Sequence, residues 1–225
     1  MQKKIAVIND LSGYGRCSLT VAIPVLSVMG HQCCPVPTAI LSNHTEFPVY
    51  FFDDYTEKMT AYTDKWKELG LSFDAVATGF LGSEAQIEIV MDMIRKLESE
   101  ETFVVVDPVM GDHGHAYETY TPEMCEQMKE LVCMADIVLP NVTECCILTD
   151  TPYKKENWTR RELLNMAMML RLMGAKSVVI TGVREGSYYT NVVLERGQME
   201  AKFIRTRSSG GERPGTGDVF SSVVA

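Results

Sequence analysis

The sequence lacks any long apolar run. Its 225 residues contain no stretch of about 18 uninterrupted apolar residues, which argues against a transmembrane helix. The amino terminus, MQKKIAVIND, has too short an apolar stretch for a signal peptide. We therefore expect a cytoplasmic protein that has no membrane partner.

Positive charge is also scarce. Lysine and arginine number 21 against 30 aspartates and glutamates, which gives a formal net charge of −9. Binding to a nucleic-acid backbone depends on clustered basic side chains that release counterions. The charge balance therefore argues against a nucleic-acid partner and favours a role in solubility.

The seven cysteines form no C-x-x-C pair, and their odd number argues against a disulfide framework. Two adjacent pairs, Cys33–Cys34 and Cys145–Cys146, lie in apolar stretches. Reduced thiols that pack as small apolar side chains in the core are therefore predicted.

Familiar ligand motifs are incomplete. GYGRCS at 13–18 is one glycine short of the dinucleotide fingerprint, and no acidic residue ends the second predicted strand to hold a ribose hydroxyl. GAKS at 174–177 lacks the upstream glycine of a P-loop. His113 and His115 could hold a metal, but no cysteine or third histidine stands nearby, so an exposed polar loop is favoured.

What the sequence does contain is a regular alternation of apolar runs and helical patterns. KIAVIN, QCCPVPTAIL, FDAVATGF, TFVVVDPV, DIVLP and KSVVITG are predicted strands, and GSYYTNVVLE with MEAKFIRT is a predicted hairpin. Predicted helices include RCSLTVAIPVLSVMG, in which Pro24 should cause a kink or shift the start, and SEAQIEIVMDMIRKLESE, capped by Ser83. The alternation predicts one domain over 1–225, an α/β three-layer α/β/α fold with a mostly parallel central sheet and helices on both faces.

Polar residues follow the predicted strands, and ligands of an open parallel sheet gather at the carboxyl ends of its strands. These residues are Asn9, Asp10, Ser12, Ser42 to Thr45, Gly79, Asp107, Asp112, Asn141, Glu144 and Thr181. Their positions predict a ligand site at that edge of the sheet.

Three acids in this set suit a cation. Asp107 and Asp112 lie in a glycine-containing turn after an apolar strand, and carboxylates are ligands that Mg²⁺ accepts together with water and phosphate. Glu144 stands three residues after Asn141, a spacing that is also typical of a plain capping box. Taken together the three acids favour a metal–phosphate site, while Glu144 alone is compatible with either role.

The last motif, GTGDVFSSVVA, predicts a helix that starts at a bent, glycine-rich turn. Free amides of Gly215, Thr216 and Gly217 at a positive helix terminus would form an anion hole for a phosphoryl group. Asp218 would be placed to take a proton from an attacking hydroxyl. A helix N-cap formed by Thr216 or Asp218 fits the spacing equally well.

The motifs IND, SNHT, TGF, DPVMGD, PNVTE, VVITG and GTGDVF, in this order, resemble the pyridoxal kinase branch of the ribokinase-like superfamily over essentially the whole chain. The resemblance implies ATP-dependent phosphorylation of the 5'-hydroxymethyl group of pyridoxal, pyridoxine or pyridoxamine, with Mg²⁺ as the metal. A requirement for a monovalent cation such as K⁺ is left open. It also implies a homodimer, which is usual among relatives, and a lid at MGDHGHAYETY that closes over the phosphates.

The resemblance assigns roles to individual residues. Asp218 matches the catalytic base, and Gly215, Thr216 and Gly217 match the anion hole. The remaining matches are Asp107, Asp112 and Glu144 for Mg²⁺ and the ATP phosphates, Asn141 and Thr181 for the nucleotide, and Asp10, Ser12, His44, Thr45 and Phe80 for the vitamin, with Phe80 as the stacking ring.

Two departures from the family pattern stand out. Relatives carry serine where Asp10 stands, and a carboxylate there would favour a protonated ring nitrogen through a charge-assisted hydrogen bond. Relatives also continue for several tens of residues past GTGD, so the resemblance implies a missing C-terminal segment. Two alternatives stay open, a hydroxymethylpyrimidine kinase of thiamine synthesis and a non-catalytic protein that binds B6 vitamers.

Overall fold

The computed structural model describes residues 2–97, 99, 101–211 and 213–225. Its contacts divide the chain into two compact units. The first unit comprises Met1–Val105 with Glu212–Ala225, and the second comprises Val106–Gly211. The predicted alternation of strands and helices is confirmed in both units, whereas a single domain over 1–225 stays a prediction.

The first unit is built around a long central strand. Its strands are β1 (Lys4–Tyr14), β2 (Gln32–Asn43), β3 (Phe52–Asp54), β4 (Ala75–Thr78) and β5 (Phe103–Val106), and its helices are α1 (Leu19–Val28), α2 (Thr56–Glu68), α3 (Glu84–Leu97) and, from the end of the chain, α7 (Thr216–Val224). Strand β1 pairs in parallel with β2 and with β4, while β3 pairs antiparallel with β2.

Burial explains why these segments form. Residues 5–8 of β1 are buried without alternation, which is typical of a parallel strand covered on both faces. Helix α3 buries Ile87, Val90 and Ile94, at the three- and four-residue spacing of one helical face. The hydroxyl of Ser83 accepts from the amide of Gln86 at 3.2 Å, so the predicted cap is confirmed.

The second unit begins with a small hairpin and ends with an antiparallel pair. Its elements are β6 (Gly111–Asp112), β7 (His115–Ala116), α4 (Pro122–Cys133), β8 (Ile137–Val138), α5 (Val142–Leu148), α6 (Arg160–Met173), β9 (Ser177–Glu185), β10 (Tyr188–Leu194) and β11 (Lys202–Arg207). Strand β8 runs parallel to β9, and β9, β10 and β11 are successively antiparallel, as predicted for the hairpin.

Two local predictions were wrong, and one strand was not predicted. Strand β3 lies in the connection after β2, and the segment around His113 and His115, predicted as an exposed polar loop, contains the hairpin β6–β7. Helix α1 begins at Leu19 and runs through Pro24, because positive φ angles at Gly15, Arg16 and Ser18 prevent an earlier start. Each miss comes from pairing or backbone conformation that side-chain periodicity does not report.

Two composition-based expectations can be compared with the structure. All seven cysteines are free, as predicted, but packing in the core holds only for Cys17, Cys145 and Cys146. Cys33, Cys34 and Cys125 are half-buried and Cys133 is exposed, so the prediction of core packing was wrong for these four. Among the helices that the structure describes, none is both long and apolar enough to cross a membrane.

Candidate active site

Asp218 lies in the first turn of α7, and its side chain contacts Asn9 on β1. One carboxylate oxygen accepts from Asn9 Nδ2 at 3.2 Å. The helix follows Gly215 and has no side-chain cap, while the Thr216 hydroxyl donates to the carbonyl of Arg213. The N-cap interpretation of Thr216 and Asp218 is therefore wrong.

Both the backbone conformation and the space around the Cβ position require glycine at position 215. Its φ is +80°, in the left-handed region, and a Cβ there would overlap the carbonyl oxygen of Arg16. Gly217 has open space around the position of a Cβ. Because the first amides of a helix have no acceptor within it, the start of α7 offers the N–H groups of Thr216 and Gly217 to an anion.

Asp10 and Ser12 form a buried polar pair on β1. The Ser12 hydroxyl donates to Asp10 Oδ2 at 2.8 Å. Asp10 is only 6% exposed. Its partners in the described part of the chain are neutral hydroxyl groups, and neither Asp10 nor Asp218 forms an ion pair there.

Burial changes the protonation of both carboxylates. It raises the pKa of Asp10, where the nearby Asp218 adds to the shift and the two serine hydroxyls oppose it. Burial likewise raises the pKa of Asp218, against the hydrogen bonds from Ser18 and Asn9. A raised pKa makes an aspartate a stronger base once it has lost its proton.

Asn9 links Asp10, Phe80 and Asp218 through its side chain. The sequence analysis predicted nothing for Asn9 beyond its place at a strand end. Its Oδ1 accepts from the amides of Asp10 and Phe80, both at 2.9 Å, while its Nδ2 donates to Asp218. A Cβ on Gly79 would overlap the Asn9 side chain, so glycine is needed there. The bond to Asp218 joins residues 209 positions apart, which no local pattern can indicate.

The other predicted vitamin-side residues also belong to the first unit. His44 is half-buried, packs over Gly15 and stacks at 4.6 Å from the ring of Phe47. Thr45 is exposed. Phe80 is half-buried, and its carbonyl accepts from the hydroxyl of Thr38 at 3.0 Å. Their contacts with a ligand stay a prediction.

In the second unit Glu144 is held by backbone amides. Asn141 caps α5 by accepting from the Glu144 amide at 2.9 Å, and Glu144 Oε2 accepts from the Asn141 amide at 2.8 Å. The capping box is thus confirmed. Glu144 Oε1 also accepts from the amide of Met110 at 3.2 Å, which ties the carboxylate to the turn that carries Asp107 and Asp112.

Burial raises the pKa of Glu144 well above its usual range, and the charge of Asp107 adds to the shift. Asp107 is half-buried. Asp112 is exposed, and one of its oxygens accepts from the amide of His113 at 2.7 Å. The structure therefore brings Glu144 and Asp107 within electrostatic range of each other, with Asp112 contributing least to the shift.

Thr181 and Asn141 lie side by side at the ends of neighbouring strands. The amide of Thr181 donates to the carbonyl of Pro140 at 2.8 Å, and Asn141 forms a parallel bridge with Thr181. Asn141 Nδ2 also donates to the carbonyl of Gly111 at 2.9 Å. Both predicted nucleotide-side residues are thus anchored through their backbones.

The second unit also contains a polar group that the sequence did not single out. Tyr120 is buried and its hydroxyl has no hydrogen-bond partner in the described residues. Burial raises its pKa strongly, and the charge of Glu144 adds to the shift. Among those same residues no three His, Cys, Asp or Glu side chains are grouped to hold a metal, so the Mg²⁺ assignment to Asp107, Asp112 and Glu144 stays a prediction.

Comparisons with known proteins agree on one family. The family model described as phosphomethylpyrimidine kinase matches residues 23–225. Among curated proteins, the chain is 29% identical over 190 residues to the pyridoxal kinase of Dictyostelium discoideum, a match that covers 81% of this chain and 61% of that protein. The chain thus spans less than two thirds of that relative.

Solved structures extend the likeness. A protein of Bacteroides thetaiotaomicron VPI-5482, provisionally named phosphomethylpyrimidine kinase and crystallised with pyridoxal, is 42% identical with a TM-score of 0.95, over 100% of this chain and 79% of that one. Pyridoxal kinase from Lactobacillus plantarum is 29% identical with a TM-score of 0.91, over 100% and 80%. The three-layer ribokinase-like fold class and the predicted resemblance to pyridoxal kinases are confirmed.

Proposed function

Because this chain belongs to the phosphomethylpyrimidine kinase family, we propose that it transfers the γ-phosphoryl group of ATP to the 5'-hydroxymethyl group of pyridoxal, pyridoxine or pyridoxamine. The observation that carries the proposal is the setting of Asp218. Its carboxylate is partly buried, accepts from Asn9 and belongs to the first turn of α7, next to the free amides of the helix start. A base next to an anion site is what phosphoryl transfer to an alcohol requires.

The reaction follows from this setting. Asp218 accepts the proton of the substrate hydroxyl while the hydroxyl oxygen attacks the γ-phosphorus, and the bond between that phosphorus and the leaving ADP oxygen breaks. The N–H groups at Gly215, Thr216 and Gly217 stabilise the negative charge on the transferring group. The raised pKa of Asp218 makes it a stronger acceptor for that proton.

The vitamin side is formed by the remaining first-unit residues. Asp10, buried among neutral donors, pairs with a protonated ring nitrogen of the substrate, and Ser12 holds its carboxylate in place. Phe80 stacks on the ring, and His44 and Thr45 lie at the edge of the pocket. A buried carboxylate without a cationic partner in the described residues supports a cationic ligand.

The second unit supplies the nucleotide side. Asn141 and Thr181 contact the nucleotide, and Asp107, Asp112 and Glu144 would hold Mg²⁺, which neutralises charge on the phosphates. The pKa of Glu144, which burial and the charge of the nearby Asp107 raise, supports this assignment, because a divalent cation would relieve the repulsion between the two carboxylates. A requirement for K⁺, a homodimer and a cytoplasmic location stay predictions.

A second candidate is a hydroxymethylpyrimidine kinase, which the description of the matching family favours. The two are separated by assaying the full chain with ATP, Mg²⁺ and either pyridoxal or hydroxymethylpyrimidine, following ADP formation and product mass. We expect the higher kcat/KM with pyridoxal and a product heavier by one phosphoryl group. A higher value with the pyrimidine would favour the second candidate, and saturable pyridoxal binding without ADP formation would favour a binding protein.

A further inference from the structure

We infer that Asn9 is a positioning residue of the proposed phosphoryl-transfer site, which holds the carboxylate of Asp218 in place to take the proton of the substrate hydroxyl. Its Nδ2 donates to Asp218 Oδ1 at 3.2 Å. The inference deepens the proposed function and rests on it for its catalytic consequence. The hydrogen bonds of Asn9 do not themselves depend on the reaction.

Two backbone amides fix the direction in which the Asn9 side chain faces. Its Oδ1 accepts from the N–H groups of Asp10 and Phe80, both at 2.9 Å. Because a backbone N–H can only donate, the side-chain atom that faces these two groups must be the oxygen. The NH₂ group of Asn9 is therefore left to face Asp218, and to a carboxylate it can only donate.

The backbone after β4 restricts the same side chain from one side. Asn9 is 6% exposed, and the amide of Gly79 donates to the carbonyl of Ile8 at 2.8 Å, so residue 79 lies directly beside the end of β1. A Cβ on Gly79 would lie 2.3 Å from Asn9 Nδ2 and 2.5 Å from Asn9 Cγ. Any side chain at position 79 would therefore displace the amide of Asn9.

Packing alone does not fix the Asp218 carboxylate. Asp218 and Asn9 line a small cavity of about 10 Å³, together with Thr78 of β4 and Ser222 of α7. The Thr78 hydroxyl is buried and has no hydrogen-bond partner in the described residues. A carboxylate beside unfilled space needs a hydrogen bond to restrain it, so we expect Asp218 to move when the Asn9 amide is removed.

The same bond affects the charge state of Asp218. Burial raises the pKa of Asp218, and the hydrogen bond from Asn9 opposes that shift because it favours the ionised form. The titratable groups near Asp218 in the described residues are Asp10 and the Cys17 thiol, with the exposed Arg16 in the same turn. Neither α1 nor β4 carries a titratable side chain. Loss of the Asn9 amide should therefore leave Asp218 protonated up to a higher pH.

The test uses two variants that break the bond in different ways. Asn9→Ala removes the amide, whereas Gly79→Ala keeps Asn9 and displaces its side chain. Gly79 is not among the glycines with positive φ, so its backbone accepts alanine. We expect both variants to lower kcat with pyridoxal roughly 10- to 100-fold, because a misplaced base loses its reactive geometry. The acid limb of kcat should move up by about one pH unit, the loss of one hydrogen bond to a charged group.

Gly82→Ala is the matched control. Gly82 lies in the same connection between β4 and α3, and its φ is not positive. A Cβ there would meet its neighbours only at 3.6 Å and beyond, which is ordinary van der Waals contact. The kcat and the acid limb of this variant should match those of the wild type.

A merely structural Asn9 gives a different pattern. Asn9→Ala leaves the amides of Asp10 and Phe80 without their acceptor, so its melting temperature should fall in either case. If accepting these bonds were the whole role of Asn9, activity would follow the folded fraction and the acid limb would stay at the wild-type pH in both variants. That result would overturn the inference.

A second measurement needs no turnover. The carboxyl carbon of Asp218 can be titrated by NMR in the wild type and in Gly79→Ala, which keeps every titratable group, and we expect a higher pKa in the variant. An unchanged pKa overturns the inference even if the chain phosphorylates pyridoxal. A raised pKa in a chain that phosphorylates no B6 alcohol would support the role of Asn9 toward Asp218 and contradict the proposed function.

Discussion

Each unit contains a cluster of carboxylates, Asp10 with Asp218 in the first and Asp107, Asp112 and Glu144 in the second. The two clusters differ in the hydrogen bonds that hold their side chains. Glu144 accepts from the amides of Asn141 and Met110, and its contact with Asn141 is a capping box that belongs to its own helix. Asp218 accepts from Asn9, which is distant in sequence, and it makes no capping hydrogen bond at the start of its own helix. Burial raises the pKa in both, so burial alone does not separate a structural acid from a catalytic one.

The difference lies in whether local structure accounts for the buried charge. A capping box satisfies two helix-terminal amides, so the fold has a use for Glu144 whatever its chemistry. Asp218 belongs to no capping box, and its raised pKa makes the ionised form costly in the folded state. Chemistry is then the better explanation of its position, since perturbed groups cluster at functional sites.

The largest expected effect comes from Asp218→Asn. The substitution keeps the shape of the side chain and removes the base, so kcat should fall roughly 10²- to 10⁴-fold. KM for ATP should change little. The melting temperature at pH 7 should not fall, because an aspartate whose pKa is raised in the folded state stabilises the fold at low pH and loses that effect as the pH rises through its pKa. Steady-state kinetics and thermal unfolding check both parts.

Asp64→Asn is the matched control for this variant. Asp64 is a partly exposed residue of α2 that faces Lys96 at 3.6 Å, a surface pair of little energetic weight. Near-normal turnover in Asp218→Asn would show that Asp218 is not the base. The first-unit cluster would then not differ in chemical role from that of Glu144.

The second expected effect is on stability and tests the other cluster. Glu144→Ala leaves two buried amides without their acceptors and should lower the free energy of unfolding by about 2–4 kcal/mol. Glu162→Ala breaks a capping box of the same kind at the more exposed start of α6, where about 1 kcal/mol is expected. Denaturant unfolding of both variants measures the difference, and equal losses would show that the Met110 contact contributes nothing.

The smallest expected effect concerns the two glycines of the anion site. Gly215→Ala meets both a positive φ and the carbonyl of Arg16, so it should destabilise the protein by about 1–3 kcal/mol. Gly217→Ala meets nothing within contact distance, so stability should be kept or raised. If Gly217 admits a phosphoryl group, its variant should lose activity at an unchanged melting temperature, whereas full activity would contradict its place in the anion hole.

Features with a local origin could be predicted from the sequence. The capping box at Asn141 and Glu144, the cap at Ser83 and the helix after Gly215 follow from residue types at fixed spacing. Apolar runs and helical periodicity likewise predicted the order of strands and helices.

Features that depend on tertiary contacts could not be predicted in this way. The Asn9 bond to Asp218, the positive φ of Ser18 and the burial of Tyr120 depend on partners far apart in the chain or on an unusual backbone. Strand β3 was missed because its three residues are exposed and show no alternation. The GYGRCS stretch at 13–18, set aside as an incomplete nucleotide motif, joins the end of β1 to the start of α1.

The most direct test of the central claim, that Asp218 is the base, is the pH dependence of kcat at saturating pyridoxal and ATP. Because the base works only when deprotonated, kcat of the wild type should fall about tenfold per pH unit on the acid side, with a midpoint above the ordinary aspartate value of 3.8. That acid limb should be absent from the residual activity of Asp218→Asn. The same limb at the same midpoint in both proteins would contradict the account.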